Sequence, residues 1–431
     1  MTRLPKKPEI LTEIGGKMKK VIIVGGGYGG ITAFKHLAGN KDLEITVIDQ
    51  NPYHFLQTEV YNFIANKYII SDITVDLFSF SVGVGTNTYF VKDKVVDIDF
   101  PKNIVHTEHG KYQYDYLILA VGSRTFFPPI EGLRENSSGV KTLTRSLNFK
   151  HQFEQKLLKN IKDEGLCPLD HSGNFNIVVG GGGLSGVEIA AEMAYYARQF
   201  FRKAGYICEG VKVTLVEASP RILNGIDDFL VETAMNRLKD LGVEIIKNKK
   251  IVKVEQNKVI LENTKKINMD FLIWTGGIVG SSLIPKLKLP HNRRDQIIVD
   301  DLYRVKDMDN VFAVGDCAEI KDLEEGTPLP PTAQVAVQTG EIVSKHIKNI
   351  ISGKKPEPKS AKLKGIVAAL GGDYGAGVIM DSIKVKGYPA YLLKEMIFLN
   401  YKYPLKKTAV KGFKEILKGN DKKIFVENFG N

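Results

Sequence analysis

Two sets of residues in the 431-residue sequence have the types and spacing to hold a dinucleotide. The first is Gly25, Gly27 and Gly30 with Asp49; the second is Gly181, Gly183 and Gly186 with Glu217. In G-x-G-x-x-G the first glycine allows a tight turn, the second lets a pyrophosphate approach the backbone, and the third lets helix and strand pack closely. A carboxylate after the following strand, here Asp49 or Glu217, accepts hydrogen bonds from ribose hydroxyls. No arginine directly follows Glu217, which favours a 2′-hydroxyl over a 2′-phosphate, although Arg221 is close enough to weaken that inference. A simple dehydrogenase needs one nucleotide cofactor. Two sites imply an electron relay.

Other residues could act on what those sites hold. Gly122 closes the apolar run YLILAVGS (116–123), where a buried strand stops so that a cofactor can approach. Asp316 ends NVFAVGDCA (310–318) and either accepts a hydrogen bond from a ribitol hydroxyl or merely makes a turn. Gln334 and Gln338 stand one helical turn apart; they either bind a flavin ring or a quinone carbonyl, or belong to a solvated face. Glu59 lies in an aromatic, apolar stretch as either a buried proton-handling group or an exposed loop carboxylate, and the usual exposure of glutamate favours the second. Cys167, Cys208 and Cys317 show neither C-x-x-C nor metal-ligand spacing, so no dithiol chemistry follows, and Cys317 reads as a small buried filler.

These residues require a particular scaffold. Residues 21–49 read as one βαβ unit and 176–217 as a second, each with its glycine turn facing a helix N-terminus. Residues 88–99 and 104–108 alternate like strands of a meander around the turn at Pro101, Lys102 and Asn103. The proline-rich 127–132 reads as a linker, 147–161 as a helix and 165–173 as its loop. Short strands follow in 243–261, a buried strand in 271–277, and a helix from Thr332 through Ile347.

The net charge of +11 is uneven, because residues 354–431 carry sixteen lysines against seven acids. There, Tyr391, Leu392, Met396 and Leu399 recur at helical spacing after Pro389, and Val410, Phe413, Ile416 and Leu417 form a second stripe. With Lys402, Lys406, Lys407, Lys411, Lys414 and Lys418 around them, they fit a pair of helices on an anionic membrane surface. The alternative packs both stripes on the protein's own core or on a second copy in a homodimer. No apolar run approaches the ~20 residues of a membrane-crossing helix. Residues 1–17 read as a polar extension without the features of a signal or transit peptide.

The segments GGGYGG, LILAVGS, GGGLSGVE, LVEASPRIL, VFAVGDCA and AQVAVQTG occur in the order seen in type II NADH:quinone dehydrogenases. Over residues 19–347 the chain resembles that family of flavoproteins. The resemblance implies an α/β fold with two Rossmann-like dinucleotide-binding domains and a C-terminal membrane-associating segment. Its divisions would be 18–139 with 278–350 for FAD, 140–277 for NADH, and 351–431 for the membrane. FAD would contact Gly25, Gly27, Gly30, Asp49 and Asp316, and NADH would contact Gly181, Gly183, Gly186 and Glu217. Glu188 matches the acid near the junction of nicotinamide, flavin and quinone. Gln334 and Gln338 match two quinone-side glutamines, whereas Thr339 replaces a third and Thr58 replaces a usual proline. The implied activity is hydride transfer from NADH to flavin and then two electrons to a membrane quinone, without proton pumping. It would occur peripherally at the cytoplasmic face of the cell membrane, with no nucleic-acid partner. A sulfide:quinone oxidoreductase shares the architecture but requires paired cysteines near the flavin, and none follows Cys317. A flavoprotein that senses NADH through partners would carry the same nucleotide motifs.

Overall fold

The computed structural model describes residues 18–163, 175–203, 211–380 and 382–419. The predicted extension over 1–17, the loop over 165–173, Cys167 and Cys208 lie outside the described residues. In chain order, the helices that bear on the site begin with α1 (Tyr28–Leu37), α2 (Val60–Ile64), α3 (Leu77–Val84), α4 (Leu143–Asp163) and α5 (Leu184–Lys203). A central helix (Ala333–Ile351) and a C-terminal helix (Tyr388–Leu417) follow.

A five-stranded parallel sheet orders Val311–Ala313, Tyr116–Leu119, Lys19–Val24, Leu43–Asp49 and Thr88–Lys92. Its central strands carry the apolar runs of a sheet covered on both faces, and Ile22, Ile23, Ile118 and Leu119 are all buried. Residues 88–92 were expected in the antiparallel meander, but they are this sheet's edge strand. The meander itself is Val95–Asp99, Ile104–Thr107 and Lys111–Gln113. Alternation cannot tell a parallel edge strand from a hairpin strand, because both expose one face.

A second parallel sheet orders Glu244–Ile246, Val211–Val216, Phe175–Gly180 and Phe271–Trp274. Helix α4 covers it through Phe149 and Phe153, whose rings pack edge-on against Phe271 and Phe175. Where the chain passes between the two sheets, Ser123–Thr125 pairs antiparallel with Ile278–Gly280, so the outward and return crossings form one ribbon.

The C-terminal part is a three-stranded antiparallel sheet, Gly365–Ala369, Gly375–Ile379 and Ile383–Gly387, leading into the C-terminal helix. Two helices were expected there, but one 30-residue helix runs through Pro404 without a break. Helix α3 holds it by a close crossing at two glycines: a Cβ on Gly412 would lie 1.7 Å from Ser79 O, and one on Gly83 2.0 Å from Thr408 O. Phe398, Leu405 and Ala409 are buried, while Leu392, Met396, Leu399, Val410, Phe413 and Leu417 are exposed. Lys402 and Lys406, expected at the membrane face, instead turn inward to Asp72 Oδ1 (3.1 Å) and Ser71 O. No helix among the described residues is long and apolar enough to cross a membrane.

Candidate active site

The two glycine turns are built alike. Gly25 has φ +106° and Gly181 φ +109°, in the left-handed region that side chains disfavour. A Cβ on Gly30 would lie 1.9 Å from Gly25 O, and one on Gly186 1.9 Å from Gly181 O. The space over Gly27 and Gly183 is open for 4 Å. The N-cap of α1 is Gly27, without a side-chain cap, and neither α1 nor α5 has an acid in its first turn. Their N–H groups therefore remain for phosphate oxygens.

Each strand-end acid also anchors its own turn. Asp49 Oδ2 accepts from Gly26 N at 2.7 Å and Oδ1 from Asn51 N at 2.7 Å. Burial raises its pKa against the pull of those N–H groups. Glu217 does the same with Gly182 N (2.5 Å) and Ser219 N (2.7 Å). Arg221 does not approach Glu217's pocket as a free cation: it pairs with Asp228 at 2.9 Å and donates to Ile226 O at 3.0 Å.

Beside the first turn, Gly122 has φ +64° and open space around it. Asp316 Oδ2 accepts from Ser123 Oγ at 2.6 Å and faces Lys141 Nζ at 3.4 Å. The Gly315–Cys317 turn rests on the central helix, where Thr339 Oγ1 accepts from Gly315 N at 3.2 Å. Cys317 is buried, its thiol donates to Leu119 and Val314 carbonyls, and burial pushes its pKa up to about 11. It is a filler, as expected.

Gln334 and Gln338 share one face of the central helix, but that face is not simply solvated. Gln334 donates to Gly365 O (3.1 Å) and accepts from Lys364 N (2.9 Å). Gln338 donates to Lys362 O (2.8 Å) and accepts from Lys362 N (3.1 Å). Both amides pair with the backbone of 362–365 as a neighbouring strand would, fixing the entry to the C-terminal sheet.

The densest electrostatics lie where α2, α5 and the C-terminal helix meet. Glu188 (6 % exposed) takes an ion pair from Lys394 and a hydrogen bond from Ala369 N at 3.1 Å. One turn along α5, Glu192 (2 % exposed) accepts from Gly372 N at 3.2 Å, and its Oε1 has no partner. Glu59, expected to be exposed, is 3 % exposed. The short turn Gln57–Glu59 ahead of α2 carries it under α5 and the C-terminal helix, a burial made by contacts remote in sequence. Its Oε2 accepts from Asn62 Nδ2 (2.9 Å) and Tyr61 hydroxyl (3.3 Å), while Lys394 Nζ lies 4.8 Å from the centre of the Tyr61 ring. Burial pushes Glu59 and Glu192 up to about 7 each.

Nearby, Tyr28 hydroxyl bonds Thr58 Oγ1 at 2.9 Å, so the threonine at the usual proline position holds a site tyrosine. The Tyr28 ring lies against Tyr401 (5.1 Å) and His54 (4.9 Å). Burial pulls His54 down to about 4, keeping it neutral. Sequence reading missed Lys394, Glu192, Tyr401 and Lys141. Only Glu192 left a local signal, its i+4 spacing from Glu188 on a helical segment.

The profile of the pyridine nucleotide-disulphide oxidoreductase family matches residues 19–340. The chain belongs to this family. A type II NADH:quinone oxidoreductase of Staphylococcus aureus (strain MSSA476) is 30% identical over 387 residues, 88% of this chain and 94% of that protein. This identity and coverage place the chain among the type II members. In fold, it matches NDH2 from Plasmodium falciparum in complex with NADH at a TM-score of 0.81, with 18% identity over 93% of this chain and 98% of that one. The sulfide:quinone oxidoreductase of Aquifex aeolicus matches at 0.74, with 22% identity over 94% and 96%.

Proposed function

We propose that this chain is an FAD-dependent NADH:quinone oxidoreductase. The observation that carries the reading is the pair of like-built nucleotide turns, with α5 presenting Glu188 immediately after the second turn to Lys394 of the C-terminal helix. When bound, FAD supplies the chemistry of accepting a hydride and releasing two electrons.

The residues present fit that group. The open space over Gly27 and the uncapped N-terminus of α1 suit a pyrophosphate, and Asp49 and Asp316 offer acceptors to sugar hydroxyls. Gly181, Gly183, Gly186 and Glu217 would hold NADH in the same manner. Glu188 and Lys394 hold a proton donor-acceptor pair out of water. Gln334 and Gln338 would act on the quinone side through their hold on the backbone of 362–365. We assign residues 18–139 with 278–350 to FAD, 140–277 to NADH and 351–431 to surface attachment. The exposed apolar stripe of the C-terminal helix would lie on an anionic membrane at the cytoplasmic face, where a quinone enters from lipid. A second copy in a homodimer is the competing occupant of that stripe.

The absorbance spectrum of purified protein, without oxygen, tests the reading. A flavin spectrum should be present, bleach on adding NADH and return on adding a soluble quinone. Absence of flavin, or bleaching that quinone does not reverse, overturns it.

A further inference from the structure

Quinone reduction needs one more proton than NADH supplies. A hydride brings two electrons and one proton, whereas a quinone becomes a quinol by taking two electrons and two protons. The second proton comes from water through the protein. Glu188 is buried and held by Lys394, so an aqueous proton must reach it through neighbouring groups.

The neighbours form one cluster. Glu59, Glu188, Glu192 and Glu395 surround two lysines, Lys394 and Lys67. Lys394 pairs with Glu188, and its ammonium lies over the ring of Tyr61, whose hydroxyl donates to Glu59. Lys67 lies 3.8 Å from Glu395, whose other oxygen accepts from Tyr68 hydroxyl at 2.5 Å. Lys67 is the partly exposed member, with 26% of its side chain accessible, and so connects the cluster to water. Fully ionised, four carboxylates and two ammonium groups leave a net charge of −2 in a buried place. Low dielectric favours neutrality, hence two retained protons. Glu188 and Glu395 have the direct lysine contacts. Protonation is therefore favoured on Glu59 and Glu192, and the unpartnered Oε1 of Glu192 is the buried oxygen a proton would occupy.

We propose that Glu59 and Glu192 are a proton store for the quinone-reducing step, feeding protons to Glu188 within the cluster around Lys394. When the reduced quinone takes up its second proton, the O–H bond of a stored carboxylic acid breaks. The Glu188 carboxylate relays that proton to the quinone oxygen and is left a carboxylate again, and water restores the store by way of Lys67 and Glu395. Glu59 and Glu192 act through Glu188 and are positioning residues, not catalytic ones. The inference rests on the NADH:quinone reading above.

The store should be full below its pKa and empty above it, and burial, the largest cause, puts both acids at about 7. Other charged or titratable groups also face it. Lys150 and Glu154 of α4 pair at 3.3 Å, Lys402 of the C-terminal helix pairs with Asp72, and Tyr28, Tyr68 and Tyr391 border the cluster.

Stopped-flow measurements on the holoenzyme with a soluble quinone test this. In the parent protein, flavin reoxidation should slow as pH rises through about 7. Glu59→Gln and Glu192→Gln, singly and together, should slow reoxidation below pH ~7 by roughly tenfold or more and flatten its pH profile. The rate of flavin reduction by NADH should hold. Glu59→Asp, which keeps an acid, should restore part of the pH dependence. An unchanged reoxidation profile in the double variant overturns the proposal. So does equal slowing of both half-reactions with loss of bound flavin, which marks a structural role. Failure of the parent protein to bleach with NADH instead sinks the underlying activity, and the store with it.

Discussion

At the scale of single residues, the question left by the sequence was whether Arg221 offsets Glu217 in choosing the nucleotide. The structure gives Arg221 other partners, Asp228 at 2.9 Å and Ile226 O at 3.0 Å. Glu217 sits at the mouth of the second turn, where a carboxylate would repel a 2′-phosphate and accept from a 2′-hydroxyl. NADH should therefore be preferred to NADPH. Glu217→Gln should reduce the ratio of the two kcat/KM values by roughly tenfold, the effect of removing ~1.4 kcal/mol of discrimination. Glutamine keeps an acceptor for Gly182 N, so the turn should survive. If steady-state assays with both nucleotides give the parent ratio, Glu217 does not set the preference.

At the scale of elements, the C-terminal helix completes the site from outside the sheets, bringing Lys394 to Glu188 and Tyr401 hydroxyl to His54 Nε2 at 3.0 Å. Its seat on α3 depends on the glycine crossing. Gly412→Ala would put a methyl 1.7 Å from Ser79 O, which is backbone and cannot swing aside. The helix must shift, at a cost of about 1–3 kcal/mol or more. A lower Tm with weaker flavin retention should result; a parent-like melt and full flavin content would mean the crossing is not a constraint. The same helix shows where sequence reading stops. The glycine turns were legible because Gly25 to Asp49 is one local βαβ unit whose spacing states its own geometry. The single helix was not, because two separate apolar stripes read as two helices, while packing on α3 accompanies one helix that continues through Pro404. Glu59 was misread for a related reason. Its burial depends on Lys394 and α5, remote partners that no local pattern announces. The glutamines share one helix face as expected, yet their backbone partners at 362–365 lie across a loop whose path no local pattern announces.

For the whole molecule, charge and apolar surface coincide on one side. Tyr388, Leu392, Met396, Leu399, Tyr403, Val410, Phe413 and Leu417 are exposed at spacings of three, four or seven residues, so they form one stripe along the C-terminal helix. At 1.5 Å per residue that stripe is about 45 Å long, more than scattered surface apolar residues would make. Lys407, Lys411, Lys414 and Lys418 are exposed near its end, each worth on the order of 1 kcal/mol beside an anionic leaflet. Removing the helix would not test attachment, because Lys394 and Tyr401 would leave the site with it. Surface substitutions are the sharper test. Leu392→Glu, Leu399→Glu and Phe413→Glu together change exposed positions only. They should abolish sedimentation with anionic vesicles while bound flavin and NADH oxidation with a soluble acceptor persist. Rising salt should weaken binding of the parent protein, since the lysine contribution is screened over about 10 Å at 0.1 M ionic strength. A triple variant that still sediments like the parent removes the stripe from membrane binding; one that instead changes from dimer to monomer in solution assigns the stripe to a second copy of the chain.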